Sequence, residues 1–550
     1  MVTRLDLKLG RDLIRLKGQA IAIAAVIAMG VMMLVMMTGL VNSLESTRQA
    51  YYQKYRLADV FVSLVRAPRS IVRQLQNLEG VKVAEGRVMG DALIDISGNQ
   101  ISYRAMAVSM PDFVPQKLNR VRLLAGRMPA SSNYTEILLL QSFAKAHNLY
   151  VDDVVEATLF GKRQKLHIVG VAESPEFLYT TAPGEMIPAE GRFAVFWMSE
   201  SAMAAAFEMD GAFNQVVMSV SKKVNLNKIL FEIDAVLKPY GGLGAYGIED
   251  HYSNRFVSEE IAGLRASSNS IPPVFMFVAA FLLYMVVGRM VQAEREQIGL
   301  LKAFGYSSLE VSWHYLKLAI VISFGGAVAG CMLGIWAGHN MTLFYQNYFK
   351  FPFIVFQLEP TAFLKGILSS VTVASLGGFW ALKQVYKLTP AVAMQPPVPV
   401  DFSQTLVLPR YILAKFDQPS RMLWRRLMRQ PARFISGIIG ISLGMALSVA
   451  MISMLHGFEE GMKTSFGKVD RSDATVSFIN SVSRTAMFEL EKVNGVLAVE
   501  PFRVVPVVFR NGLYHYRGAI NGFISSPDLH RPLNDKGEPL VLRQGGIILS

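Results

Sequence analysis

Three short stretches of this chain have the residue types of phosphate binding or hydrolysis, and their surroundings decide whether they can act. Residues 242–247 read Gly-Leu-Gly-Ala-Tyr-Gly, the spacing with which a strand–turn–helix unit cradles a pyrophosphate. They follow Pro239-Tyr240 in place of a buried strand, so they read as a loop. Residues 440–444, Gly-Ile-Ser-Leu-Gly, have the spacing of a turn that exposes a nucleophilic serine. They lie inside an apolar run, where small residues serve helix packing. Residues 457–464, GFEEGMKT, approach a phosphate loop with the wrong spacing. The eight histidines have no metal-ligand spacing. Asp152-Asp153 and Glu259-Glu260 read as solvated acidic pairs. The single cysteine, Cys331, sits in an apolar stretch as a packing residue, which excludes an internal disulfide and a cysteine-based zinc site. These patterns predict neither a catalytic centre nor a metal site.

A fourth stretch offers recognition instead of catalysis. It reads Glu294-Arg295-Glu296-Gln297-Ile298-Gly299-Leu300-Leu301-Lys302-Ala303-Phe304-Gly305-Tyr306-Ser307. Ile298, Leu300 and Leu301 give a short helix an apolar face, Lys302 gives it a cationic point, and Gly305 stops it. Such an element inserts into a groove on a partner or lies as a loop on the lipid surface.

The elements that position this stretch are membrane spans. A length of 550 residues predicts three or four domains. With 52% hydrophobic and 18% charged residues, and a mean hydropathy of +0.32, the chain mixes membrane helices with soluble domains. Apolar runs at 19–41, 271–291, 316–338, 362–382 and 434–455 are each long enough to cross a bilayer core of roughly 30 Å. The first exceeds a signal-peptide core of roughly 7–15 residues, and no small-x-small cleavage site follows, so it reads as a retained helix. Arg289 and Lys365 lie near span ends, where long side chains reach the interface.

The formal charge of +13 would suggest nucleic-acid binding in a soluble protein. Here the basic residues gather beside the spans. Arg4, Lys8, Arg11, Arg15 and Lys17 precede the first; Arg295 and Lys302 lie between the second and third. Lys383, Lys387, Arg410, Lys415, Arg421, Arg425, Arg426, Arg429 and Arg433 lie between the fourth and fifth. By the positive-inside rule, 1–18, 292–315 and 383–433 are cytoplasmic, whereas 42–270, 339–361 and 456–550 are outside. Leu5, Leu9, Leu13 and Leu16 share one helical face before the first span, predicting an amphipathic helix along the membrane surface. In the third span, Gly326, Gly330, Gly334 and Gly338 line one face at i, i+4 spacing, which favours close packing within the chain over dimerisation.

The outer segment 42–270 reads as α+β. Helices are expected at 44–57, 71–78, 226–237 and 248–270, strands at 92–96 and 102–107, and a hairpin at 154–171 that turns at Gly161-Lys162. Pro272-Pro273 is expected to mark entry into the second span. Residues 390–409, with Pro396-Pro397, Pro399 and Pro409, form an extended linker. Beyond it the chain repeats its own beginning. Asp12-Leu13-Ile14-Arg15 aligns with Arg426-Leu427-Met428-Arg429 and Gly30 with Gly444. Leu78-Glu79-Gly80-Val81 aligns with Val493-Asn494-Gly495-Val496, one residue out of step, and Arg104 falls near Arg517. A period of about 415 residues indicates duplication of a whole half.

Residues 294–307 resemble the cytoplasmic signature of FtsX/MacB-like permeases, Glu-Ile-Gly-x-Leu-[Arg/Lys]-Ala-x-Gly preceded by charges. The departure is Gln297 where the family commonly has Glu, with Glu296 adjacent. The order of one span, a large outer domain and three spans is also characteristic of that family. The resemblance covers residues 3–394 and the start of a second copy. It implies an integral-membrane α-helical bundle with α+β periplasmic (MacB-like) domains, in the inner membrane, its amino terminus cytoplasmic. It implies a coupling segment of Glu294, Arg295, Glu296, Ile298, Gly299, Leu300, Leu301, Lys302, Ala303, Phe304, Gly305 and Tyr306 that docks on a cytoplasmic ABC ATPase dimer, with Phe304 and Leu301 as anchors. ATP and magnesium belong to that partner, since this chain has no Walker A sequence and is expected to bind no cofactor itself. Other implied partners are the lipid bilayer and a periplasmic membrane-fusion adaptor, with no nucleic acid. The implied work is efflux or lipoprotein or lipid export by relayed motion. The alternative is a regulator that activates a periplasmic cell-wall hydrolase, and the duplicated outer domain weighs against it. A membrane enzyme would need ionisable residues converging inside the spans, and none is seen. Ile547-Ile548-Leu549-Ser550 corresponds to the strand near Ile137-Leu138-Leu139-Leu140, so the native protein is expected to continue past this point.

Overall fold

A computed structural model describes residues 4–96, 98, 102–180, 191–357, 359–387, 417–419, 422, 431–476, 478, 482–511, 514–534, 536–540 and 546–548. It divides into two units, Met1–Gly444 and Met445–Ser550. The linker at 390–409 and the second amphipathic segment, apart from Met422, lie outside the described residues.

The first unit opens with α1 (Arg4–Arg15) and α2 (Lys17–Lys54). At 38 residues, α2 is roughly 57 Å long at 1.5 Å per residue. That is nearly twice a bilayer core of roughly 30 Å. The first span and the helix expected at 44–57 are thus one rod that runs from the bundle into the α+β domain. That domain contains two sheets. The smaller combines β1 (Val60–Pro68), β2 (Val81–Arg87), β10 (Ala212–Val220) and β11 (Tyr246–Gly247) in the order β11-β1-β10-β2. α3 (Ser70–Gln76) and α6 (Leu226–Leu237) supply Ile71, Leu75, Ile229, Ile233 and Leu237 to its core.

The larger sheet has the order β5-β8-β6-β9-β4-β3-β7. Its strands are β3 (Met89–Asp95), β4 (Tyr103–Met110), β5 (Arg122–Gly126), β6 (Glu136–Leu140), β7 (Val154–Leu159), β8 (Lys162–Glu173) and β9 (Phe193–Ser199). The pairing closes on itself because β8 is long enough to pair with β7 through its first half and with β6 through its second. Alternating strand residues send Ala105, Ala107, Phe196 and Met198 to one core and Val108, Val195 and Trp197 to another. α4 (Gln141–Ala146) and α5 (Glu200–Phe207) cover the first of these faces with Phe143, Met203 and Phe207. The expected hairpin forms between β7 and β8, turning at Phe160-Gly161. Residues 242–247 follow a 3₁₀ turn and end in the short β11, so no buried strand precedes them as a phosphate-binding turn requires.

A buried polar joint ties the two sheets to the next helix. Arg87, at the end of β2, donates from Nη1 to Glu176 Oε2 at 2.7 Å and pairs through Nη2 with Oε1. Its Nε donates to Gln215 Oε1 at 2.6 Å, and Asn119 Nδ2 donates to Glu176 at 2.9 Å. Desolvation alone would raise the Glu176 carboxyl, but the adjoining guanidinium prevails and holds it below the ordinary carboxylate range. His251, the residue before the next helix, brings Nε2 to 4.0 Å from Glu176, and burial lowers its pKa.

α7 (Tyr252–Ala293) then returns through the bundle, followed by α8 (Arg295–Ala303), α9 (Ser308–Phe349) and α10 (Pro360–Lys387). Pro272-Pro273, expected at the first turn of a span, lies well inside the continuous α7. A proline pair in a helix forfeits two backbone donors; close by, Thr38 Oγ1 and Ser268 Oγ lie 3.2 Å apart across α2 and α7. Among the described residues, four helical segments are long and apolar enough to cross a membrane, Lys17–Lys54, Tyr252–Ala293, Ser308–Phe349 and Pro360–Leu382. The architecture is a membrane helical bundle that carries an α+β domain.

The helix α11 (Pro431–Thr464) crosses the boundary between units and contains the expected fifth span, 434–455. The second unit also has α12 (Thr485–Glu491) and a hairpin of β12 (Arg503–Asn511) with β13 (Tyr514–Gly522). α12 and α3 are both seven residues long. Each is followed by a glycine of positive φ, Gly495 at 97° and Gly80 at 94°. The turn bonds match too: Val81 N donates to Leu78 O, and Val496 N donates to Val493 O, both at 3.1 Å. The internal repeat is therefore visible in backbone geometry as well as in letters.

Candidate partner-docking site

The short helix α8 sits at the end of the bundle remote from the α+β domain, between α7 and α9. Both of its ends are fixed. At its start, Glu294 breaks the helix with φ −98° and ψ 18°. At its finish, Tyr306 N donates to Leu301 O and Gly305 N to Lys302 O, each at 3.1 Å. These are the two bonds of a Schellman motif, and Gly305 occupies its left-handed position at φ +95°. Ser307 and Glu310 then form a capping box that starts α9.

The rotation of α8 about its axis decides which apolar residues meet a partner. Ile298 and Gly299 are buried in the bundle core, and Leu301 and Tyr306 pack against it. Leu301 therefore faces inward. Its neighbour Leu300, one helical step of roughly 100° away, is 48% exposed and Phe304 is 75% exposed. The two stand at i, i+4 on the outer face. Leu309 and Trp313, also at i, i+4 in the first turns of α9, add exposures of 70% and 54%. Glu296, Gln297 and Ala303 are exposed, Arg295 and Lys302 half-buried. Burial lowers the Lys302 pKa. The apolar surface thus consists of Leu300, Phe304, Leu309 and Trp313. The last two escaped sequence analysis because they fall outside the signature, at the head of an apolar helix.

Glu294 is buried within a polar cluster. Lys8 Nζ donates to Glu294 Oε2 at 2.6 Å and to Asp12 Oδ2 at 2.9 Å. The Tyr315 hydroxyl donates to Glu294 Oε2 at 2.9 Å. Leu9, Leu13 and Leu16 of α1 pack against the bundle core, while Leu7 and Ile14 are exposed. Leu9, Leu13 and Leu16 of the expected leucine face thus turn towards the helices.

The glycine stripe of α9 packs on α2 in register. A Cβ at Gly326 would lie 2.6 Å from Ala24 O, at Gly330 2.6 Å from Ala28 O, and at Gly334 2.8 Å from Val35 Cβ; at Gly338 it would lie 3.5 Å from Met36 Cα. Small residues thereby let two parallel rods approach backbone to backbone. Among the described residues, no group of three or more His, Cys, Asp or Glu is arranged to hold a metal ion.

Two family models match the chain. The MacB-like periplasmic core domain matches residues 20–236, and the FtsX-like permease C-terminal domain matches residues 269–390. A search of curated proteins by sequence gives no match. Among solved structures, the extracellular domain of the noncanonic ABC-type transporter YknZ from Gram-positive bacteria is 9% identical with a TM-score of 0.25, covering 35% of this chain and 98% of that one. The periplasmic region of MacB from Actinobacillus actinomycetemcomitans is 9% identical with a TM-score of 0.25, covering 38% and 95%. The assignment rests on the two family models, which fall in their expected order on the α+β domain and on the helices after it. The chain is an FtsX/MacB-like permease, a transmembrane subunit of an ABC transporter.

Proposed function

We propose that α8 is the coupling helix on which a cytoplasmic ABC ATPase dimer docks, and that ATP hydrolysis there moves the α+β domain on the far side of the inner membrane. The observation that carries this reading is the exposed pair Leu300 and Phe304 on a short helix fixed at both ends. An aromatic side chain at the centre of an apolar patch is the usual anchor of a protein interface. Motion imposed on α8 has stiff rods to follow, since α2 and α7 run unbroken from that end into the domain. His251, at the head of α7, meets the Arg87–Glu176 joint that ties both sheets together.

The basic residues around α1 and α8 support a cytoplasmic amino terminus. ATP and magnesium reside on the partner, and a periplasmic adaptor completes the path for efflux or for lipoprotein or lipid export. The test is a photo-crosslinking side chain at position 304 of the full-length protein in native membranes. A crosslink to a nucleotide-hydrolysing chain supports the reading. Crosslinking to lipid alone contradicts it and makes α8 an interfacial element.

A further inference from the structure

We propose that Lys8 is a positioning residue for the coupling helix: by gripping Glu294 it makes α1 and α8 move as one piece. Force that arrives at α8 then enters α2 directly, in addition to α7 and α9. The inference rests on the docking reading of α8.

Glu294 is the only residue between α7 and α8, so whatever holds its carboxylate sets the angle between those helices. A buried carboxylate requires partners, and this one has two. Lys8 Nζ lies 2.6 Å from Oε2 and reaches it across 286 residues of sequence, and the Tyr315 hydroxyl donates to the same oxygen at 2.9 Å. Lys8 is itself held in place. It donates to Asp12 one turn along α1 at 2.9 Å and stands 5.7 Å from the Tyr315 ring centroid. The buried His314 places Nε2 3.4 Å from Asp12 Oδ2. Five side chains from α1, the α7–α8 junction and α9 thereby converge.

α1 is well placed to pass the motion on. A single residue, Leu16, separates it from α2, and Leu16 O accepts a bond from Ala20 N at 2.9 Å, so the helical path is nearly continuous. α2 lies along the α9 glycines and ends in the α+β domain. The apolar contacts of Leu9, Leu13 and Leu16 let α1 slide, as apolar contacts are not directional. The charged grip on Glu294 supplies the direction. The internal repeat sharpens the point. The positions aligned with Lys8 and Asp12 are Met422 and Arg426, so the second copy lacks this pair and inverts the charge of one member. The grip is a device of the first half.

The experiment uses the full-length protein in lipid nanodiscs, with and without its ATPase. Amide hydrogen exchange of residues 295–303 without the ATPase reads the grip alone. Lys8→Met and the isosteric Glu294→Gln are each expected to raise that exchange about tenfold. Lys8→Arg is expected to keep it near wild type. With the ATPase, Lys8→Met should leave co-purification within about twofold and lower the complex-stimulated hydrolysis rate about fivefold, with Lys8→Arg retaining it. Unchanged exchange in both Lys8→Met and Glu294→Gln overturns the proposal. Raised exchange with unaltered stimulated hydrolysis also overturns it, because the contact would then be structural only. Phe304→Ala run in parallel separates the two claims: if it keeps its ATPase the docking reading falls, whereas the exchange data still judge the grip.

Discussion

Gly330 of α9 approaches α2 so closely that a Cβ on it would stand 2.6 Å from the Ala28 carbonyl oxygen. The atom in the way is backbone and cannot rotate aside. Gly330→Ala is therefore expected to push the helices apart and destabilise the bundle by about 1–3 kcal/mol, as overpacking does elsewhere. Gly338→Ala, whose Cβ would sit 3.5 Å from Met36 Cα, is expected to be tolerated. Melting temperatures of the two full-length variants in one detergent check this, and equal values would contradict the register.

The polar joint in the α+β domain predicts a different pattern. Arg87→Met leaves Glu176 charged, buried and without its main partner, which costs about 3–5 kcal/mol in comparable sites. Replacing both residues, Arg87→Met with Glu176→Met, is expected to recover much of that loss, because no buried charge is then stranded. Thermal unfolding of the single and double variants reads the difference.

Acid sensitivity has a specific source at Glu136. The Arg127 guanidinium donates to its two oxygens at 2.6 and 2.7 Å, and the Ala130 amide adds a bond at 2.9 Å. These bonds hold the carboxyl down to about 2. A depressed carboxyl contributes stability that is fully present above its unfolded value and lost as pH falls through the folded value. Glu136→Gln is thus expected to melt below wild type at pH 7. The gap should narrow between the ordinary carboxylate range, about 4.3, and pH 2. A gap constant across that window would contradict the assignment.

The orientation of the chain can be read by thiol labelling. Ser131 lies in the α+β domain, in the loop between β5 and β6. With the native Cys331 replaced, a cysteine at Ser131 is expected to react with a membrane-impermeant reagent on intact cells, and one at Ser403 only after the membrane is opened. The opposite pattern would reverse the topology and remove α8 from the reach of an ATPase.

Periodicity and turn chemistry made much of this architecture legible. Apolar length announces four of the membrane helices, and the Gly161 turn and the Gly305 stop are local events set by neighbouring residues. Pairings between distant segments are another matter. Nothing in the letters around Lys8 points to Glu294, and Arg87 meets Glu176 across 89 residues. Helical spacing makes both Leu300 and Leu301 apolar-face residues, but only the position of the bundle shows that Leu301 turns inward and Leu300 outward. Pro272-Pro273 does not start a helix, because proline as a helix starter is a local preference that the continuous α7 overrides.

The central claim is that α8 carries the ATPase contact, and Phe304 is its most exposed apolar anchor. Truncating such an anchor commonly costs about 2 kcal/mol or more, roughly thirtyfold in affinity. Lys302→Ala removes a half-buried charge, and an ion pair at an interface rim contributes about 0–1 kcal/mol. The decisive measurement is the affinity of the full-length protein for its ATPase, compared between wild type, Phe304→Ala and Lys302→Ala at equal membrane abundance. The account predicts a loss of about thirtyfold or more for Phe304→Ala and at most about fivefold for Lys302→Ala. If Phe304→Ala retained full ATPase binding and transport-linked hydrolysis, α8 would not be the docking helix.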